Sequence, residues 1–284
     1  MDEHWKGAPD LLGSTCSEER VIGSGGVSLR VLRWQPDKTE LQDLAPVVMV
    51  PGWGSVFEGW RPLVTEWATR RPIIYVETRE KASAQFPTKK ERVSDFKMNN
   101  FANDLVEVIN HYGLGNNFDL FSSSLGSTIL LEALQRGILD ANSSIFVAPN
   151  QDFKMPFWPR FFIKLPLPKF MLSLTTKMAV YAIQKKVKEE GQRIRYKRTL
   201  LSQNASRIRL SARSLMGYEL PQDLSKITVP CAIIAAESDK LHGLEKIKEI
   251  VERIPGVRMM NVPSNQYAHE PDVLVDIEGY LASL

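Results

Sequence analysis

Phe118-Asp-Leu-Phe-Ser-Ser-Ser124-Leu-Gly126-Ser-Thr-Ile-Leu-Leu131 decides the reading of this 284-residue chain. A short β-type run, 118–121, meets a helix-type run, 128–134, across three serines and one glycine. A serine raised at a tight strand-to-helix turn exposes its hydroxyl at the sheet edge. That is the arrangement of a G-x-S-x-G elbow, with Ser124 at its centre. Ser122 stands where the pattern has its first glycine. Serine is also a favoured helix N-cap, so the turn alone leaves two readings open, nucleophile or cap. Gly126, two residues on, favours the elbow, because such a turn brings that residue against neighbouring backbone.

Working outward, strand and helix signals alternate. Val21-Ile22 and 27–34 read as two strands joined at Gly23-Ser-Gly-Gly26, and residues 1–19 read as irregular. Val47-Val-Met-Val50 is a buried strand ended by Pro51-Gly52. A helix over 58–70, a buried strand over 72–77 and a helix over 96–111 follow. In that last helix Phe101, Leu105, Val108 and Ile109 share a face. Beyond the elbow come strands over 144–148, 229–236 and 257–262 and helices over 244–253 and 272–281. Continuous apolar strands alternating with helices imply a mostly parallel sheet covered on both faces, an α/β fold. There is no internal repeat and no low-complexity tract.

Hydrophobic residues at 43% and charged residues at 24% are ordinary globular values and allow a sizeable core. The first residues are polar and acidic, which speaks against a signal peptide. No run approaches the ~18 apolar residues of a spanning helix. Cys16 falls in a polar segment and Cys231 in an apolar strand, so a disulfide between them is not expected and a reducing, cytoplasmic setting fits. The four histidines show no metal-ligand spacing with each other or with the cysteines, so no metal is expected.

A serine needs a neighbouring base to become a useful nucleophile. In α/β proteins such groups collect at the carboxyl ends of strands. Asp239, in Ile233-Ile-Ala-Ala-Glu-Ser-Asp239, sits just past a strand end, where a carboxylate can orient a histidine and stabilise its cation. Glu237 competes with it but lies nearer the strand. His269, in Pro263-Ser-Asn-Gln-Tyr-Ala-His269, falls between the last strand and the last helix. His242 is its rival as base, whereas His111 and His4 lack the placement. Taken singly, each is read as readily as a surface or capping residue. In the order Ser124, Asp239, His269, each at a strand's end, they read as a triad. Pro51-Gly52-Trp53-Gly54-Ser55 is a glycine-rich turn at another strand end. The N–H groups of Trp53 and Leu125 would form an oxyanion hole.

With these residues in place the chain resembles the α/β-hydrolase superfamily, over roughly 20–150 and 222–284. The run 47–55 looks like the family's third strand and oxyanion turn, with Pro51 where many members have histidine. Glu77-Thr-Arg-Glu-Lys-Ala-Ser83 is similar to the usual D-x-R-G-x-G-x-S loop with both glycines lost. Ser127 replaces the second glycine of the frequent S-x-G-G form. The resemblance implies an α/β-hydrolase core made of 1–150 and 222–284, with 151–221 as a helical lid. It also implies cofactor-free chemistry through an acyl-enzyme on Ser124.

The 151–221 stretch breaks the alternation. It opens with prolines among aromatic residues, continues as basic helix, and carries fifteen Lys and Arg against three acidic residues over 151–215. That is a net +12, which leaves −9 on a remainder whose sum with it is +3. Its apolar residues (Phe157, Trp158, Phe161, Phe162, Ile163, Phe170, Met171, Leu172) would close over an acyl chain. Its cations would hold an anionic group or touch an anionic membrane surface reversibly; a plain solvated face is the other reading. No nucleic-acid motif accompanies the charge. The expected activity is hydrolysis of a carboxylic ester or thioester with a hydrophobic acyl part. Alternatives are C–C bond hydrolysis or acyl transfer on the same triad, and a non-catalytic binding or interaction protein.

Overall fold

Four-residue runs with no polar face, such as 47–50 and 73–76, can be satisfied only as strands covered on both sides, and they set the centre of the molecule. The computed structural model describes residues 9–284 except 89, 155–162, 164–176, 179, 183, 186, 188 and 237–243. Within them, eight strands form one sheet: β1 Ser14–Ile22, β2 Ser28–Pro36, β3 Val47–Val50, β4 Ile73–Val76, β5 Asp119–Ser123, β6 Ser143–Val147, β7 Cys231–Ala236 and β8 Arg258–Val262. Their order is β1-β2-β4-β3-β5-β6-β7-β8. The β1–β2 and β2–β4 pairs are antiparallel, and all pairs from β4–β3 onward are parallel. Every residue of β3, β4, β6 and β7 is buried.

The helices are α1 Arg61–Trp67, α2 Met98–His111, α3 Leu125–Gln135, α4 Glu190–Ser202, α5 Ala205–Leu215, α6 Leu244–Val251 and α7 Val273–Leu281. The chain steps from β3 to β4 in one direction through α1, then crosses back to β5 through α2 and on to β6 through α3. Right-handed crossovers in opposite directions put α1 on one face and α2 and α3 on the other. The packing agrees: α2 lies against α3, and α1 against α7. The reversal makes a crevice between the carboxyl ends of the neighbours β3 and β5, where ligands of open α/β sheets bind. In register, Val50 of β3 faces Ser122 of β5, and Ser123 faces Val147 of β6. The turn after β3 and the Ser124 turn after β5 therefore leave the sheet side by side.

The first strand is longer than its sequence suggests. Ser14 to Glu19 pair with β2 in a continuous register from Ser14↔Pro36 to Ile22↔Ser28. An edge strand needs no apolar run, because its stability comes from backbone bonds to one partner and its free edge is best polar. The 151–221 stretch departs after β6 and returns before β7. Its two ends meet at an antiparallel bridge, Asp152↔Glu219, and at the Leu220 N–H to Gln151 carbonyl bond of 2.8 Å. Of its apolar residues named above, Ile163 alone falls among the described residues. Among the described residues, no helix is long and apolar enough to cross a membrane.

Candidate active site

Ser124 has φ 50° and ψ −114°, a conformation that costs a non-glycine residue strain. It stands N-terminal to α3 yet its side chain caps nothing there, so the capping reading fails. Its backbone is over-determined instead: the N–H donates to the Val147 carbonyl at 2.8 Å, and the carbonyl accepts from Thr128 N–H at 3.1 Å. Gly126 explains why the turn is possible. A Cβ there would lie 2.1 Å from the Val50 carbonyl oxygen and 2.8 Å from that of Pro51, so α3 starts against the end of β3 as only glycine allows.

The missing first glycine is compensated locally. Ser122 is buried, and its hydroxyl lies 3.1 Å from that of Ser127 and 3.4 Å from the Ile145 carbonyl. Ser127, which replaces another glycine, donates to the Val147 carbonyl at 3.2 Å. Each serine thus supplies a partner for the other, so neither buried hydroxyl is stranded.

His269 closes the 3-10 turn Tyr267–His269 and is buried. Its ring stacks on Trp60 with centroids 3.8 Å apart. Its Nδ1 lies 3.2 Å from the Gly59 carbonyl oxygen. A carbonyl can only accept, so Nδ1 carries the proton and Nε2 is the basic nitrogen. Arg195 of α4 holds the loop before His269 through the side-chain oxygens of Asn265, at 2.6 Å, and Gln266.

Trp53 follows β3. Its indole Nε1–H donates to Ser211 Oγ of α5 at 2.9 Å, while its backbone N–H has no acceptor among the described residues. Leu125 is the first residue of α3, and the first N–H groups of a helix lack intrahelical acceptors. One cavity of about 260 Å³ is lined by Gly52, Trp53, Ser124, Ala148, Arg195 and His269, among others. It brings the expected nucleophile, base and oxyanion turn to a single place. Arg195 is the cation of the basic stretch that reaches it among the described residues. Asp239 and its competitor Glu237, with His242, lie outside the described residues. Those residues hold no cluster of three His, Cys, Asp or Glu side chains suited to a metal.

Asn150 is a site residue that the sequence reading missed. Its Nδ2 donates to Ser124 Oγ at 3.0 Å. Its backbone is held on both sides by Thr128 Oγ1, which accepts from Asn150 N–H and donates to Asn150 O, each at 3.0 Å. Ala148, two residues earlier, has φ 46°. Ser124 and Ala148 are the only non-glycine residues at positive φ among those described, and both line the cavity. The one signal in the sequence was position: Asn150 lies just past a strand's carboxyl end.

Comparison with protein-family models and with curated proteins finds no match. Solved structures do match over nearly the whole chain. A hydrolase from Pseudomonas aeruginosa PA01 superposes with a TM-score of 0.71 at 14% identity, covering 94% of this chain and 97% of that one. An esterase from Exiguobacterium antarcticum gives 0.67 at 19%, covering 94% and 97%. An epoxide hydrolase of the α/β-hydrolase superfamily, from metagenomes of hot environments, gives 0.65 at 18%, covering 95% and 100%. The fold is that of the α/β-hydrolases.

Proposed function

We propose that this protein is a serine hydrolase that cleaves a carboxylic ester or thioester with a hydrophobic acyl part. The observation that carries the reading is the strained Ser124, presented to the same cavity as His269 and the Trp53 turn. In the reaction, His269 Nε2 takes the Ser124 proton as the hydroxyl oxygen attacks the substrate carbonyl. The N–H groups of Trp53 and Leu125 stabilise the oxyanion, a contribution of ~10²–10³-fold for one donor. His269 then protonates the leaving group, and water hydrolyses the acyl-enzyme by the reverse roles. From its place after β7 in the sequence, Asp239 is proposed as the carboxylate that stabilises the His269 imidazolium, with the Gly59 carbonyl also accepting from Nδ1–H. Asn150 Nδ2, donating to Oγ, leaves the hydroxyl proton for His269 and stabilises the oxygen as it becomes negative.

The 151–221 stretch is proposed as a lid, with Arg195 receiving an anionic group of the substrate. Cys16 in β1 and Cys231 in β7 are free thiols six strand spacings apart in the sheet, roughly 29 Å. They cannot bridge each other at that distance. A fluorophosphonate probe tests the central point: wild type is labelled and Ser124→Ala is not. Failure of the wild type to label would refute it. A series of aryl esters of rising chain length then tests the acyl preference, and a preference for the shortest member counts against a hydrophobic acyl part.

A further inference from the structure

Where the resemblance to the family calls for a glycine after Arg79, this chain has Glu80, and Lys81 follows it. Both side chains are fully buried and pair at 3.2 Å. Lys81 Nζ also donates to Thr78 Oγ1 at 2.6 Å and to the Gly52 carbonyl at 3.2 Å, so all three of its protons are used. Glu80 Oε1 accepts from Thr78 Oγ1 and from Gly54 N–H, each at 3.0 Å. The pair therefore grips the oxyanion turn at two points, one on each side of Trp53.

The Gly52 carbonyl and the Trp53 N–H belong to one planar peptide unit, and in its trans form they point in opposite directions. A cation on that oxygen fixes the plane and so fixes where the N–H aims. It also draws electron density from the amide and strengthens the N–H as a donor, as chained hydrogen bonds do in a low-dielectric interior. Glu80 fixes the next peptide through Gly54 N–H. A merely stabilising role accounts poorly for the pair, because buried ion pairs are often no better for stability than apolar residues of similar size.

We propose that Lys81 is a positioning residue that aims and polarises the Trp53 N–H, with Glu80 as its counter-ion and second anchor. The inference rests on the reading of Trp53 as an oxyanion donor. The double variant Glu80→Gln/Lys81→Met is close to isosteric and leaves no buried charge unpaired. It is expected to lower kcat for an aryl ester 10–100-fold while KM changes less than twofold, since the donor acts on the transition state. The Trp53 amide proton, followed by NMR in wild type and variant, is expected to move upfield and exchange faster. If the double variant does not fold, Thr78→Val keeps both charges but removes the hydroxyl that bonds Lys81 Nζ and Glu80 Oε1, and a 3–10-fold loss in kcat is expected. A folded variant with unchanged kcat, or with an unmoved Trp53 amide, overturns the proposal. A wild type without Ser124-dependent turnover refutes the hydrolase reading instead, and the Trp53 amide alone then decides the role of Lys81.

Discussion

Asn150 gives the sharpest test of the site, because two substitutions at one position should differ by a calculable amount. Its amide nitrogen lies 3.0 Å from Ser124 Oγ. Asn150→Ala removes one hydrogen bond to the reacting atom, which is worth ~0.5–1.5 kcal/mol net. A fall in kcat/KM of about 3–10-fold follows. Asn150→Asp keeps the shape but reverses the polarity. The Ser124 proton is then drawn toward the carboxylate and away from His269. A full charge at that distance from a developing alkoxide costs about 5 kcal/mol at an effective dielectric constant of 20. With the transition-state charge shared between Oγ and the carbonyl oxygen, roughly half of that bears on the rate, a further ~10²-fold. Single-turnover acylation with an aryl ester measures both. The two backbone bonds from Thr128 survive in each variant, so neither should unfold the loop. If Asn150→Asp is no slower than Asn150→Ala, the amide oxygen and not the nitrogen faces Ser124, and the reasoning fails.

Three further perturbations follow from the same geometry. Gly126→Ala places a methyl 2.1 Å from the Val50 carbonyl oxygen; separating them by ~1 Å should cost ~1–3 kcal/mol of stability and ~10²-fold in kcat. Thermal melting and ester kinetics check it, and a variant as active as wild type would show that the elbow is not braced there. Ser122→Gly supplies the first glycine of the G-x-S-x-G pattern yet should lower Tm by a few degrees, since a strand gains a glycine and a buried bond to Ser127 is lost; kcat should hold, and a gain in stability is the contrary result. Burial raises the Asp104 carboxyl to about 6 against the pull of Arg79. The folded state then binds a proton that the unfolded state releases down to ~4, so this group's contribution to stability rises as pH falls from 7 to 4, by roughly 3 kcal/mol. Denaturant unfolding of wild type and Asp104→Asn across that range should show the difference, and parallel pH curves would contradict it.

The parts of the fold that could be read from sequence are those where one physical requirement dominates. Continuous apolar runs such as Val47–Val50 have no alternative to a doubly covered strand. A glycine two residues after a serine turn has no substitute when a Cβ in its place would lie 2.1 Å from a carbonyl oxygen. What escaped the sequence depends on partners distant in the chain. Ser14 to Glu19 become strand only through β2, and Asn150 matters only because β6 lies beside β5. The order of strands brings Trp53, Ser124 and His269 together, and the alternating pattern predicted that order's parallel core without giving its crevice.

Two kinds of departure from the resembled pattern carry a lesson of their own, because each is met by a polar neighbour. A serine at 122 alone would bury a hydroxyl, and Ser127 meets it at 3.1 Å. A glutamate at 80 alone would bury a carboxylate, and Lys81 meets it at 3.2 Å. In each pair, reverting one member removes one buried hydrogen-bond partner of the other, worth ~0.5–1.5 kcal/mol and more where a charge is involved, while Ser127 keeps the Val147 carbonyl and Lys81 keeps Thr78 and Gly52. Read singly, the missing glycines look like decay of the motif. Read as pairs, Ser122 with Ser127 and Glu80 with Lys81 are polar replacements that add buried hydrogen bonds at the Ser124 turn and at the turn after β3. The effect of restoring one glycine should therefore depend on its partner: Ser122→Gly and Ser127→Gly are expected to be less than additive in stability. Strict additivity in a double-mutant cycle would show the two serines to be independent.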